Sequence, residues 1–224
     1  QRGETVDEAG YRARVKDAVA AIVKKQADLG IDVVSDGEMS KPSFITYIND
    51  RLGGFEVDSA DRNQSPWAGS REVEAFPDFY APQLKNVHTR HKHLICTGPV
   101  TYKGGAELAA DLDNLKAALG RVNVTEAFVP ATSVSSIEDW NRNAYYKSEE
   151  DYLFVLAEAI GQEYKAIVDA GFLLQVDDPH LVTYYVCHPN KSMDECRKWI
   201  GLRVEAINHA LRGLPKDRVR FHTC

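Results

Sequence analysis

The sequence predicts an α/β protein, a (β/α)8 TIM barrel of which this chain supplies only part, about five strands with their helices. Three observations predict it. Helical and strand patterns alternate five times along the chain. The strand patterns are apolar with no solvated face, as parallel strands covered by crossover helices require. Finally, the unusual polar clusters Asp36-Gly37-Glu38, Gly98-Pro99, Asp177-Asp178 and His222/Cys224 each come just after, or at the tip of, a strand. Barrels build their active sites at that carboxyl end, from several strands at once.

The first helix spans residues 5–29. Val15, Val19, Ile22 and Val23 recur at helical spacing, Thr5 and Glu8 have capping-box spacing, and Gly30 follows as a stop. Residues 31–36 form a strand that runs into Gly37-Glu38. A second helix is expected over 42–52, stopped by Gly53-Gly54. Residues 55–90 read as a long polar loop punctuated by proline, with Trp67, Phe76, Phe79 and Tyr80. A loop of that length in a compact domain is expected to be a lid or binding arm over the strand ends. The next strand, 91–97, ends in Gly98-Pro99-Val100-Thr101, and a helix over 107–119 closes at Gly120. A strand over 124–129 is expected to break at Pro130, before the Ser/Thr-rich loop 132–136. The helix over 148–170 is capped by Ser148, carries Glu149 to Asp151 in its first turn and stops at Gly171. A strand over 172–176 empties into Asp177-Asp178-Pro179-His180. A last helix, 192–212, precedes the terminal strand 217–224.

Composition narrows the function classes. At 224 residues, 44% hydrophobic, the chain suits one large domain, and its net charge of −6 with no basic stripe argues against nucleic-acid binding. No apolar run approaches the ~20 residues of a membrane span, and four cysteines make no disulfide framework, so a cytoplasmic location is expected. No glycine-rich nucleotide fingerprint follows any strand. The whole of 1–224 is expected to be a single catalytic domain, incomplete at both ends. Whether identical chains assemble is left open.

Four clusters could carry chemistry. On the terminal strand, His222 and Cys224 are two apart and share a face, an N/S pair suited to Zn²⁺. By spacing alone the pair is a weak signal, since a cysteine is often a small buried apolar residue. Asp36 and Glu38 lie at a strand end, where one is expected to face the mouth; otherwise they are solvated turn carboxylates. Asp177 and Asp178 could hold a cation or a substrate ammonium, or act as general acid and base; alternatively they cap the turn that follows. His88, His91 and His93 lie where a loop enters a strand and read as surface histidines, and Cys187 and Cys196 as structural.

The run Gly171-Phe172-Leu173-Leu174-Gln175-Val176-Asp177-Asp178-Pro179-His180-Leu181, followed by His222-Thr223-Cys224, resembles the catalytic barrel of cobalamin-independent methionine synthases. Val34-Ser35-Asp36-Gly37-Glu38 and Thr97-Gly98-Pro99-Val100-Thr101 resemble that family's earlier strand-end motifs, in the same order. The resemblance is nearest to the shorter single-barrel members. It implies that His222 and Cys224 are zinc ligands, with a Glu and a second Cys expected beyond Cys224. It also implies that Glu38 and Asp177, with Asp36 beside them, serve catalysis and bind the amino group of a homocysteine-like thiol, methylated from a folate-type donor. Two departures stand out: Tyr102-Lys103-Gly104-Gly105 follows the Gly-Pro-Val-Thr motif without the family's Trp, and Met39-Ser40-Lys41-Pro42-Ser43 replaces an Arg-Asn-Asp run. The alternatives are a zinc alkyltransferase acting on another thiol such as coenzyme M, a metal-free enzyme like uroporphyrinogen decarboxylase, and an inactive binding module.

Overall fold

A computed structural model describes residues 7–58, 68–85 and 93–223. In chain order the elements are α1 (Glu8–Asp28), β1 (Val33–Val34), α2 (Ile48–Arg51), β2 (Leu52–Val57), α3 (Arg71–Ala75), α4 (Pro77–Lys85), β3 (Leu94–Tyr102), α5 (Gly105–Leu119), β4 (Glu126–Thr132), α6 (Val134–Trp140), β5 (Arg142–Asn143), α7 (Glu149–Asp169), β6 (Leu173–Asp177), α8 (His180–Cys187), α9 (Met193–Ala210) and β7 (Val219–His222). Four strands form a parallel sheet in the order β1-β4-β6-β7. The sheet is open among the described residues, so the α/β class holds without a closed barrel.

The fifth expected strand goes elsewhere. β3 pairs antiparallel with β2 and parallel with β5, forming a second, three-stranded sheet. Gly98-Pro99 therefore lies inside a strand and not at a carboxyl end. The Gly53-Gly54 pair, expected to stop a helix, lies inside β2, and the helix before it shrinks to Ile48–Arg51. The cause is a close backbone approach. Gly54 has φ 91°, and a Cβ there would sit 2.4 Å from the Pro99 carbonyl oxygen. Glycine is what lets the β2–β3 register shift between Gly53 and Phe55.

Pro130 does not end its strand either, since β4 runs on to Thr132. Its carbonyl accepts from Lys41 Nζ at 2.5 Å, so its backbone polar edge faces Lys41 rather than β6. β1 pairs with β4 only at Glu126 and Ala127, and the missing N–H removes no ladder bond. The long helices α1, α5, α7 and α9 start and stop close to expectation. Ser148 and Ser192 cap α7 and α9, and Gly30 and Gly171 take positive φ just past α1 and α7. α1 is capped by Asp7; the Thr5 half of the expected capping box lies outside the described residues.

Alternation gives the parallel sheet two unlike faces. Val34, Ala127, Val129, Ala131, Leu174 and Val176 are all buried and make the aliphatic face. α7 covers the sheet, contacting β4 and β6 and packing on α9. The other face carries Phe128, Pro130 and Thr132 of β4, Leu173, Gln175 and Asp177 of β6, and Arg220 and His222 of β7, because partners in a parallel register point the same way.

Candidate active site

The last row of that second face is the candidate site. Thr132 stands opposite Asp177, and Asp177 opposite His222, at the carboxyl ends of three adjacent strands. Asp177 Oδ1 lies 2.8 Å from His222 Nδ1 and also accepts from Gln175 Nε2 at 2.7 Å. Gln175 is buried, Asp177 partly so, and the His222 ring is half exposed. Arg220 lies two residues before His222 on the same face, its guanidinium 4.2 Å from the Phe128 ring centroid. Cys224 lies outside the described residues. Among those residues no cluster of three His, Cys, Asp or Glu groups gathers as a metal shell.

The two aspartates of the Asp-Asp pair do different work. Asp178 is fully buried, and its Oδ1 accepts the N–H groups of His180 and Leu181 at 3.0 Å each. Its Oδ2 is bonded by the Ser135 hydroxyl. It thus caps the start of α8. Asp177 is the one that reaches the site.

Glu38 and Asp36 sit past the end of β1. Asp36 is buried, and its Oδ1 accepts the Glu38 N–H at 2.9 Å. That bond holds a turn in which Gly37 and Glu38 are both left-handed, at φ 64° and 54°. The Glu38 carboxylate pairs with Lys41 Nζ at 3.3 Å, and the Lys41 side chain is only 4% exposed. Lys41 also lies 4.4 Å from the Tyr47 ring centroid. Glu38 is thereby tied, through Lys41 and the Pro130 carbonyl, to the strand that ends in Thr132.

Above its short pairing with β1, the free edge of β4 is satisfied by side chains. The Tyr47 hydroxyl accepts the Thr132 N–H at 3.1 Å and donates to the buried Glu163 carboxylate at 2.9 Å. Arg51 and Tyr102 reach that same carboxylate at 3.1 and 2.8 Å, and Tyr164 donates to the Thr132 carbonyl at 2.7 Å. Burial, with the Glu163 charge beside them, pushes the Tyr47, Tyr102 and Tyr164 hydroxyls well above their ordinary pKa, so they stay donors.

Of the three histidines set aside in the sequence, His88 and His91 lie outside the described residues. His93 is half-buried rather than a surface residue: its ring packs on Trp140 at 4.5 Å between centroids, and its Nδ1 is 3.3 Å from the Trp140 carbonyl. Cys196 is buried, and burial raises the Cys187 thiol pKa; both are structural. Within the expected lid, α3 docks on α8, with Arg71 donating to the carbonyls of Tyr185, Pro189 and Lys191. Lys41, Thr132, Gln175 and Arg220 were not singled out in the sequence. The last three follow from one rule, stepping by two from Asp177 and His222 and across the ladder. Lys41 leaves no local signal.

The sequence of the catalytic domain of cobalamin-independent synthases matches residues 1–103, which include Asp36 and Glu38. The methionine synthase of Sulfolobus acidocaldarius is 27% identical over 224 residues, all of this chain and 55% of that protein. The methionine synthase of Saccharolobus islandicus is 28% identical over 209 residues, 93% of this chain and 51% of that protein. The chain resembles the cobalamin-independent methionine synthases. It spans about half the length of these methionine synthases. The fold agrees: a B12-independent methionine synthase from Shewanella sp. W3-18-1, solved in complex with selenomethionine, superposes with a TM-score of 0.71. The match is 19% identical in sequence and covers 98% of this chain and 54% of that one.

Proposed function

We propose that this chain is part of a cobalamin-independent methionine synthase, a methyltransferase that moves a methyl group from a folate-type donor to the thiol of homocysteine. The observation that carries the reading is the 2.8 Å contact between Asp177 and His222 on the polar face, at the carboxyl end of a parallel sheet. Ligand sites of parallel α/β sheets lie at that end. In the intact protein the four-stranded sheet is part of a (β/α)8 barrel, and 1–224 is a portion of its single catalytic domain. Among the described residues no helix is long and apolar enough to cross a membrane; we place the enzyme in the cytoplasm.

The zinc assignment has support in the pairing of His222. A metal-binding histidine characteristically gives its second ring nitrogen to a carboxylate, which leaves the other free to bind metal. Asp177 does this for Nδ1, so Nε2 of His222 and the thiolate of Cys224 would hold Zn²⁺, with further donors from outside these residues. Zinc bound there supplies Lewis acidity that keeps a substrate thiol, ordinarily of pKa ~8.5, in its thiolate form.

The chain's own residues orient the substrate. Asp177 Oδ2 has no hydrogen bond among the described residues and can take a substrate ammonium while Oδ1 holds His222. Glu38 approaches the same cation from the β1 side, presented by the turn that Asp36 fixes and steadied by Lys41. Fixing the ammonium places the thiol for in-line attack and lowers the entropy cost of reaction. The test is Cys224→Ser in the full-length protein. A hydroxyl is a poor ligand for a soft site, so zinc content and methyl transfer to homocysteine fall together. A variant retaining full zinc and full activity overturns the reading.

A further inference from the structure

The buried amide of Gln175 is not explained by packing. It sits on the polar face of β6 and spends its Nε2 donor on the same carboxylate oxygen that His222 Nδ1 approaches, at 2.7 and 2.8 Å. An ionised carboxylate only accepts, so both partners of Oδ1 must be donors. That fixes the amide orientation of Gln175 and puts the imidazole proton of neutral His222 on Nδ1, leaving the lone pair on Nε2. We infer that Gln175 is a positioning residue: it holds the Asp177 carboxylate so that His222 keeps the one tautomer able to act as a ligand through Nε2.

The geometry explains why a third group is needed. The His222 side chain is half exposed and sits on β7, the last strand of the described sheet. A ring with so little packing turns readily about its side-chain torsions, and the Asp177 contact is the hydrogen bond that restrains it. Asp177 is restrained in turn by Gln175, two residues earlier on the same strand and facing the same way. Without the amide, the carboxylate could rotate and offer either oxygen to His222 or to an incoming cation. With it, Oδ1 is committed to the imidazole and Oδ2 is left for substrate. A carboxylate that serves a ligand with one oxygen and a substrate with the other needs such an anchor.

The metal arm of the test rests on the zinc reading above; the tautomer arm does not. In full-length protein with ¹⁵N-labelled histidine, the His222 ring, identified by its loss in His222→Gln, shows Nδ1 protonated and Nε2 bare. Gln175→Met keeps the length of the side chain but removes the donor. Gln175→Glu keeps the shape but places a second carboxylate against Asp177. Both give mixed His222 tautomers, and in chelator competition both lower Zn²⁺ affinity ~10–100-fold, the usual effect of losing an outer-sphere partner. His222 protonated on Nε2 in the wild type overturns the inference, as do wild-type tautomer and affinity in both variants. A wild type with the expected tautomer, shifted in both variants, but without affinity for zinc, would remove the zinc reading and leave the positioning role intact.

Discussion

The Tyr47 hydroxyl donates to the Glu163 carboxylate at 2.9 Å, joining the segment after β1 to the middle of α7 across 116 positions of sequence. Tyr47→Phe removes that donor and also the acceptor of the Thr132 N–H, while Arg51 and Tyr102 stay on Glu163. Leaving a buried donor unpaired and weakening a buried carboxylate's shell should cost about 1–3 kcal/mol. Urea unfolding of the variant reads this directly, and an unchanged midpoint would show that the bridge does not hold β4.

Asp178 and Asp177 should separate cleanly on mutation. Asp178→Ala removes the cap of α8 and one of the Ser135 hydroxyl's two partners, the other being Ser133 Oγ at 3.0 Å, and should destabilise by about 2 kcal/mol. Asp177→Asn leaves both in place, so its melting temperature stays close to that of the wild type, while binding of the proposed homocysteine-like substrate weakens. Equal loss of stability in the two variants would contradict the division of labour.

One carboxylate contributes stability that falls as pH rises toward neutrality. Arg203 is fully buried and shared by Glu138, at 2.8 Å, and Glu149. Burial, only partly offset by Arg203, pushes Glu138 up from 4.5 to about 7, with the Glu149 charge adding to the rise. The folded state then binds a proton that the unfolded state has released between pH ~4.5 and 7. The stabilisation from this proton is full below about 4.5 and is lost as pH passes about 7. Glu138→Gln should flatten that part of the profile, as followed by denaturant midpoints from pH 5 to 8.

Two left-handed glycines should respond differently to a methyl group. Gly69 has φ 73° with nothing near its absent Cβ, so Gly69→Ala pays only the backbone penalty of about 1–2 kcal/mol. Gly54→Ala adds a collision with the Pro99 carbonyl and should lose clearly more. Comparable melting temperatures for the two would mean the β2–β3 pair can shift to absorb the clash.

How much of this was legible in the sequence depends on how local the cause is. Ser148, Ser192, Gly30 and Gly171 act within a few residues of themselves, and the helix ends they mark were readable. His222 and Asp177 were readable as strand-end residues near turn signals. The pairing of β3 with β2 was not, because a strand pattern does not name its partner, and β3 has an apolar run like those of the parallel strands. Lys41 and Tyr47 were missed for a related reason. Their partners, Pro130 and Glu163, lie 89 and 116 residues away. Gln175 was visible only as one residue in a motif, since what singles it out is a buried amide beside an aspartate two positions on.

The site depends on parity. Thr132, Gln175, Asp177 and His222 meet because each stands an even step from its ladder neighbours, while Ala131, Val176 and Phe221 occupy the odd steps. A single residue inserted within β6 would turn Asp177 toward α7 and bring an aliphatic side chain into its place. The same insertion between Lys191 and Lys216, outside the parallel ladder, would leave the strand phases unchanged. Length variation in such a protein is therefore confined to the connections, and the strands behave as a reading frame that tolerates substitution far better than a shift.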